Sequence, residues 1–116
     1  MSMYALLYTR VSHDEQVRNG ASLDAQLDAL KQYCHEHSYT IKGIYTDEGI
    51  SGASISKRKG LTKMLKDASK GDTILFTKLD RFSRNLLDAN LIIQDLLDRD
   101  IGIKAIHEDD ISHFLV

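Results

Sequence analysis

The run Tyr4-Ala5-Leu6-Leu7-Tyr8 constrains this chain more than any other stretch, because it is apolar without alternation and stops at Thr9-Arg10-Val11-Ser12. A strand with one face in water alternates apolar and polar residues, whereas a continuously apolar one must be covered on both faces. The run therefore points to a parallel sheet with helices above and below it. At its end, Arg10 and Ser12 are two residues apart, so an extended backbone sends both side chains to one side. A hydroxyl and a permanent cation are expected together at the carboxyl end of a central strand, where open α/β sheets bind ligands.

The rest of the chain supplies what such a sheet needs. Residues 13–21 are polar and aperiodic and read as a loop over that end. Ser22 reads as an N-cap, with Asp24 in the first turn of a helix running to about His37 and with Leu23, Leu27, Leu30 and Cys34 on its inner face. Thr40 to Thr46 is a β-branched and aromatic strand, closed by the loop Asp47-Glu48-Gly49-Ile50-Ser51-Gly52. A second helix turns Leu61, Met64, Leu65 and Ala68 inward, carries Lys63, Lys66 and Lys70 on other faces, and stops at Gly71. Asp72 to Phe76 is a third strand. A longer helix from Ser83 or Asn85 to Arg99 turns Leu86, Ala89, Ile93, Leu96 and Leu97 inward, with Gly102 just past its end, and Ile103 to Ile106 is a fourth strand. The alternation predicts an α/β domain with a mostly parallel central sheet of about four to five strands, flanked by helices and joined by right-handed crossovers.

With 116 residues and no Pro-rich or Gly/Ser-rich linker, the chain reads as one domain. It lacks both a run of the roughly 20 apolar residues that span a bilayer and a signal-like amino terminus, so a cytoplasmic protein with no membrane partner is expected. Cys34, the sole cysteine, has no internal disulfide partner, and its place on a helical stripe makes it a core residue.

The net charge of −2 argues against a nucleic-acid partner until its distribution is considered. Between Lys57 and Arg84 nine basic residues face three acidic ones, a local balance of +6 that leaves −8 for the remainder. Polarity of this size describes an anion-binding surface on an acidic body.

Several familiar chemistries fit poorly. Ser12 and His13 are strand neighbours pointing to opposite faces, and no Gly-x-Ser-x-Gly elbow surrounds the serine, which disfavours a hydrolase triad. His35 and His37, two apart on a helix, cannot converge on one metal. The cluster His107, Glu108, Asp109, Asp110 and His113 has no recognised ligand spacing and reads as an acidic surface loop. The glycines at 49 and 52 form neither a Walker nor a dinucleotide fingerprint. What remains is one serine among arginines near strand ends: Arg10, Arg58, Arg81 and Arg84. Guanidinium forks match the charged equatorial oxygens of a phosphoryl group under attack. One arginine can contribute about 10³ to 10⁵ in rate to such a transfer, so several could stand in for a metal. The residues thus point to covalent phosphoryl transfer by Ser12.

Five motifs in order extend this reading: Tyr8-Thr9-Arg10-Val11-Ser12, Ser22-Leu23-Asp24-Ala25-Gln26, Asp47-Glu48-Gly49-Ile50-Ser51-Gly52, Arg58-Lys59-Gly60-Leu61 and Leu79-Asp80-Arg81-Phe82-Ser83-Arg84. Together they resemble the serine recombinase (resolvase/invertase) catalytic domain over nearly the whole chain, and the long Ser12–Ser22 interval with the Gly-Ile-Ser-Gly loop is most like the large serine integrases and transposon recombinases. The resemblance implies that Ser12 attacks a DNA phosphate to form a 5′-phosphoserine and a free 3′ hydroxyl, with strand exchange and religation following. Arg10, Arg58, Arg81 and Arg84 would then hold the phosphate, Asp80 would orient the arginines or assist proton transfer, and Gln26 and Asp47 would support the site. It also implies DNA as partner and self-association into dimers or tetramers in the full-length protein.

Two departures from the pattern stand out. Lys59 replaces a proline common after the arginine, and His113-Phe114-Leu115 does not match the polar, glycine-containing segment of the family. The family continues into a long oligomerisation helix and DNA-binding domains, so residues 1–116 are expected to be a truncated catalytic domain. Alone, it is expected to bind DNA weakly, without sequence preference, and not to recombine it. The alternative is a non-catalytic DNA- or protein-binding remnant of the same fold.

Overall fold

Ala5, Leu6, Leu7 and Tyr8 are all fully shielded from solvent, as an unbroken apolar strand requires. The computed structural model describes residues 3–11, 23–48, 59–78 and 86–107. Among these, the chain runs β1 (Met3–Val11), α1 (Leu23–Glu36), β2 (Tyr39–Glu48), α2 (Lys59–Asp67), β3 (Thr73–Phe76), α3 (Leu86–Asp98) and β4 (Gly102–Ala105). The strands pair in the order β2-β1-β3-β4, every pair parallel. The expected parallel α/β sheet is present, with four strands among the described residues.

Alternation along β1 divides the core into two layers. Ala5 and Leu7 pack with Leu30 and Cys34 of α1, while Leu6 and Tyr8 pack with Leu61 and Met64 of α2 and with Ile92, Ile93 and Leu96 of α3. Cys34 is a core residue as expected, and burial pushes its thiol pKa up, away from reactivity. The inner face of α3 differs from the expectation. Ile92 is buried with Ile93 and Leu96, whereas Leu97 is 40% exposed. One residue is a turn of about 100° on a helix, which carries Leu97 off the 92/93/96 stripe. The side chains of Leu86 and Ala89 lie outside the described residues.

The chain reversals also refine the reading of the glycines. Gly71 has the left-handed φ (91°) that favours glycine, but it lies four residues beyond the end of α2, where its N–H donates to the Asp100 carbonyl at 2.9 Å. After α3 the left-handed residue is Asp100 (φ 58°) and not Gly102. Gly102 opens β4 instead, where a Cβ would come within 3.1 Å of Thr73 Oγ1. Arg99 joins the two helices on this face, donating from Nη1 to the Leu65 carbonyl at 3.1 Å and from Nη2 to the Ala68 carbonyl at 3.0 Å.

The pairing of β1 with β2 is interrupted once. Ala5 pairs with Ile41 and Leu6 with Gly43, so Lys42 is an extra residue, a bulge in the edge strand. Its ammonium meets Asp72 Oδ2 at 2.6 Å, an oxygen that also accepts the Ser69 N–H at 2.9 Å. Asp72 is buried, so this pair anchors the bulge to the turn before β3.

Candidate active site

From β1 the chain crosses to β2 on one side, then returns past β1 to β3 on the other. The carboxyl ends of β1 and β3 thus flank the point where strand order reverses, where an open sheet leaves a crevice. Polar side chains are buried at this end: Thr9 and Arg10 on β1, Asp47 on β2, Thr77 just after β3, and Gln26 on α1.

Arg10 is 2% exposed. A buried cation is costly unless its surroundings compensate it, so this placement is specific. Its backbone is fixed by one side chain: Gln26 Nε2 donates to the Arg10 carbonyl at 3.0 Å, and the Arg10 N–H donates to Gln26 Oε1 at 3.2 Å. The pairing of β3 with β1 ends at Leu7, and the Gln26 carboxamide satisfies both main-chain groups three residues further on, as a neighbouring strand would. α1 thereby holds the end of β1 in place.

Asp47 stands beside Arg10 in the β1–β2 register. Its Oδ2 accepts the Tyr8 hydroxyl at 2.8 Å and the Leu61 N–H at 3.0 Å, and its Oδ1 accepts the Gly60 N–H at 2.9 Å. The first N–H groups of a helix have no partner within it. Here a carboxylate from another element supplies one, with its charge at the positive end of the helix dipole. The close seating needs Gly60, where a Cβ would lie 2.6 Å from the Thr46 carbonyl oxygen. On the other face of the sheet, the hydroxyls of Thr9 and Thr46 meet at 3.0 Å.

Of the site residues expected from the sequence, Arg10, Gln26 and Asp47 are brought together. Ser12, Arg58, Asp80, Arg81 and Arg84 lie outside the described residues, as does Ser22. His35 and His37 are exposed, and His37 stacks on Tyr33 with ring centroids 4.1 Å apart. His107 is exposed, and the rest of the acidic cluster, 108–113, lies outside the described residues. Among the described residues no group of three or more His, Cys, Asp or Glu is placed to hold a metal.

Two participants escaped sequence reasoning. Tyr8 reads as one more apolar residue, but a tyrosine two residues before Arg10 shares its face and brings a hydroxyl that needs a partner when buried. Gly60 enters the sequence reading only as part of the motif Arg58-Lys59-Gly60-Leu61, yet a glycine in a helix costs stability, which is itself a signal of close packing.

The family described as "Resolvase, N terminal domain" matches residues 5–114. Transposon Tn552 DNA-invertase BinR of Staphylococcus aureus is 36% identical over 102 residues, 88% of this chain and 46% of that protein. Transposon Tn552 resolvase of the same organism is 35% identical over 102 residues, 88% of this chain and 45% of that protein. The chain therefore spans less than half the length of these relatives. In structure it is similar to the N-terminal catalytic domain of TP901-1 integrase, with a TM-score of 0.82 and 29% identity over 95% of this chain and 82% of that one. It is similar also to a resolvase family site-specific recombinase from Streptococcus pneumoniae, with a TM-score of 0.73 and 33% identity over 90% of this chain and 72% of that one. Matched across almost its entire length in sequence, and alike in fold to catalytic domains of that kind, the chain belongs to the resolvase N-terminal domain family of serine recombinases.

Proposed function

We propose that this chain is the catalytic domain of a site-specific DNA recombinase in which Ser12 is the nucleophile. The observation that carries the reading is the buried Arg10 at the carboxyl end of β1, with its main chain clamped by Gln26. Ser12 follows that strand end directly in sequence. Its hydroxyl gives up its proton as Oγ attacks the scissile phosphorus, the Oγ–P bond forms as the bond to the 3′ oxygen breaks, and that oxygen leaves as a hydroxyl by taking up one proton, so the step is neutral in protons overall. One phosphodiester replaces another, so religation is the same step reversed on an exchanged strand. Arg10, Arg58, Arg81 and Arg84 bind the phosphate and the charge that develops on it, and Asp80 orients them or assists the proton.

Gln26 and Asp47 have different work. The Asp47 carboxylate accepts three hydrogen bonds that fix Tyr8 and the start of α2, which supports a positioning role over a proton-transfer one. Gln26 positions Arg10. The partner is DNA, the chemistry uses no metal or nucleotide cofactor, and the protein works in the cytoplasm. Self-association and site recognition are not assigned to these residues, and the chain by itself is inactive in recombination. Among the described residues, no helix is long and apolar enough to cross a membrane.

The test is to fuse the chain to the oligomerisation and DNA-binding segments of a serine recombinase of known site, quench the reaction on that site's DNA, and look for protein linked to a 5′ end. The adduct is expected with Ser12 and not with Ser12→Ala. A folded, DNA-bound protein that never forms it would refute the assignment.

A further inference from the structure

The outer face of α2 is a second basic feature, separate from the buried Arg10. Leu61 and Met64 fix which side of this helix is buried. Lys59, Lys63 and Lys66 follow at spacings of four and three, a single face, and all three are exposed. With Thr62 and Asp67 they line a groove of about 440 Å³.

Among the described residues no ion pair engages these charges: Lys42–Asp72, Lys70–Asp100 and Arg99–Asp95 pair elsewhere. The natural local partner for Lys63 is Asp67, four residues on, but Asp67 Oδ2 accepts the Tyr45 hydroxyl at 2.8 Å. The first turn of α2 has no acidic residue, and Lys59 sits at the positive end of the dipole. Like charges four apart, one of them at the wrong helix end, oppose folding of α2. A polyanion laid along the face would reverse that cost.

The direction of the row identifies which polyanion. Asp47 holds the start of α2 beside Arg10, and the helix runs back from there toward the amino ends of the strands. From Lys59 to Lys66 the axis advances about 10 Å, long enough to meet several phosphates of a duplex carrying one charge per roughly 1.7 Å of its axis. We propose that Lys59, Lys63 and Lys66 form a track for the DNA backbone beside the scissile phosphate, a sequence-independent hold. This rests on the recombinase reading above.

The test is fluorescence anisotropy of the chain with a labelled duplex of about 30 base pairs, repeated across salt concentrations. Each lost phosphate contact lowers the slope of log K against log[salt] by about 0.9. The triple variant Lys59→Gln, Lys63→Gln, Lys66→Gln is expected to lose two to three such contacts and bind about tenfold or more weakly at low salt. Lys31→Gln, on α1, is expected to leave both values unchanged, and circular dichroism confirms that each variant is folded. A chain that binds DNA with the same slope in the triple variant overturns the track while leaving the recombinase reading intact. A wild-type chain with no DNA affinity at low salt overturns the track and counts against that reading as well. Salt-sensitive self-association lost in the triple variant, with DNA binding unaltered, shows that the face serves a second copy instead and also overturns it.

Discussion

Gly60→Ala sets two effects of opposite sign against each other. In a helix interior alanine is favoured over glycine by about 1 kcal/mol, an upper bound for Gly60 in the first turn of α2, so propensity alone predicts a more stable protein. The packing predicts the reverse. The added Cβ would lie 2.6 Å from the Thr46 carbonyl oxygen, 2.9 Å from its carbon and 3.1 Å from its nitrogen. These are backbone atoms of a paired strand, with no rotamer to swing away. Relief to an ordinary contact of about 3.4 Å requires α2 to retreat by about 0.8 Å. The Asp47 bonds to Gly60 N–H and Leu61 N–H, now 2.9 and 3.0 Å, would then exceed hydrogen-bond range. Overpacking costs about 1–3 kcal/mol, and weakened bonds to a charged group add about 1.5 kcal/mol or more. After the gain in propensity, a net loss of about 1.5–3.5 kcal/mol remains. Urea unfolding followed by circular dichroism should show a lower midpoint with an unchanged slope. A midpoint equal to or above wild type would refute the claim that close seating on β2 fixes this glycine.

Two further outcomes follow from the same contacts. Asp47→Ala removes the shared acceptor of the Tyr8 hydroxyl and two helix N–H groups and should cost about 2–4 kcal/mol, whereas Tyr8→Phe removes the bond from that hydroxyl to Asp47 and should cost about 1 kcal/mol; thermal melts that rank them in the opposite order would contradict the capping role. Burial and the bond to Asp67 push Tyr45 up from 10.0 to about 12, so its proton is held more tightly folded than unfolded. Its stabilising contribution is complete below pH 10 and is lost as pH rises from 10 to about 12. Tyr33 is raised too, chiefly by burial, and contributes in the same direction. Tyr45→Phe should therefore flatten, though not abolish, the alkaline fall in stability measured by urea midpoints, and an unchanged fall would rule Tyr45 out.

The sheet was legible in the sequence because β1 and β3 are apolar runs, the mark of burial on two faces, and the strands are separated by helical periods; β2, with Ile41 and Ile44 exposed, was marked by its β-branched and aromatic residues instead. The inner stripes of α1 and α2 were legible for the same reason. Leu97 was not, because Ile92, Ile93, Leu96 and Leu97 are all apolar and only packing decides which of them turns to water. The site was half legible. Gln26 lies on the stripe of Leu23, Leu27 and Leu30, and a polar residue on an apolar stripe announces a buried partner without naming it. That the partner is the main chain of Arg10 depends on where β3 stops pairing, which no local pattern records. Ser12, Arg58, Asp80, Arg81 and Arg84 were singled out by chemistry and motif alone.

The extra residue at Lys42 makes the facing of Asp47 a matter of counting. Strict alternation from Ile41, which pairs with Ala5 on the α1 side, would turn Asp47 to that side too. The bulge resets the parity, so Tyr45 and Asp47 face Tyr8, Arg10 and α2. Between residues 41 and 47, then, the strand carries one residue more than its partner, and the bulge is what absorbs it. A regular ladder over the same length would carry the carboxylate through the sheet and leave α2 uncapped beside the arginine, whereas loss of the one extra codon would straighten the strand and keep Asp47 opposite Arg10.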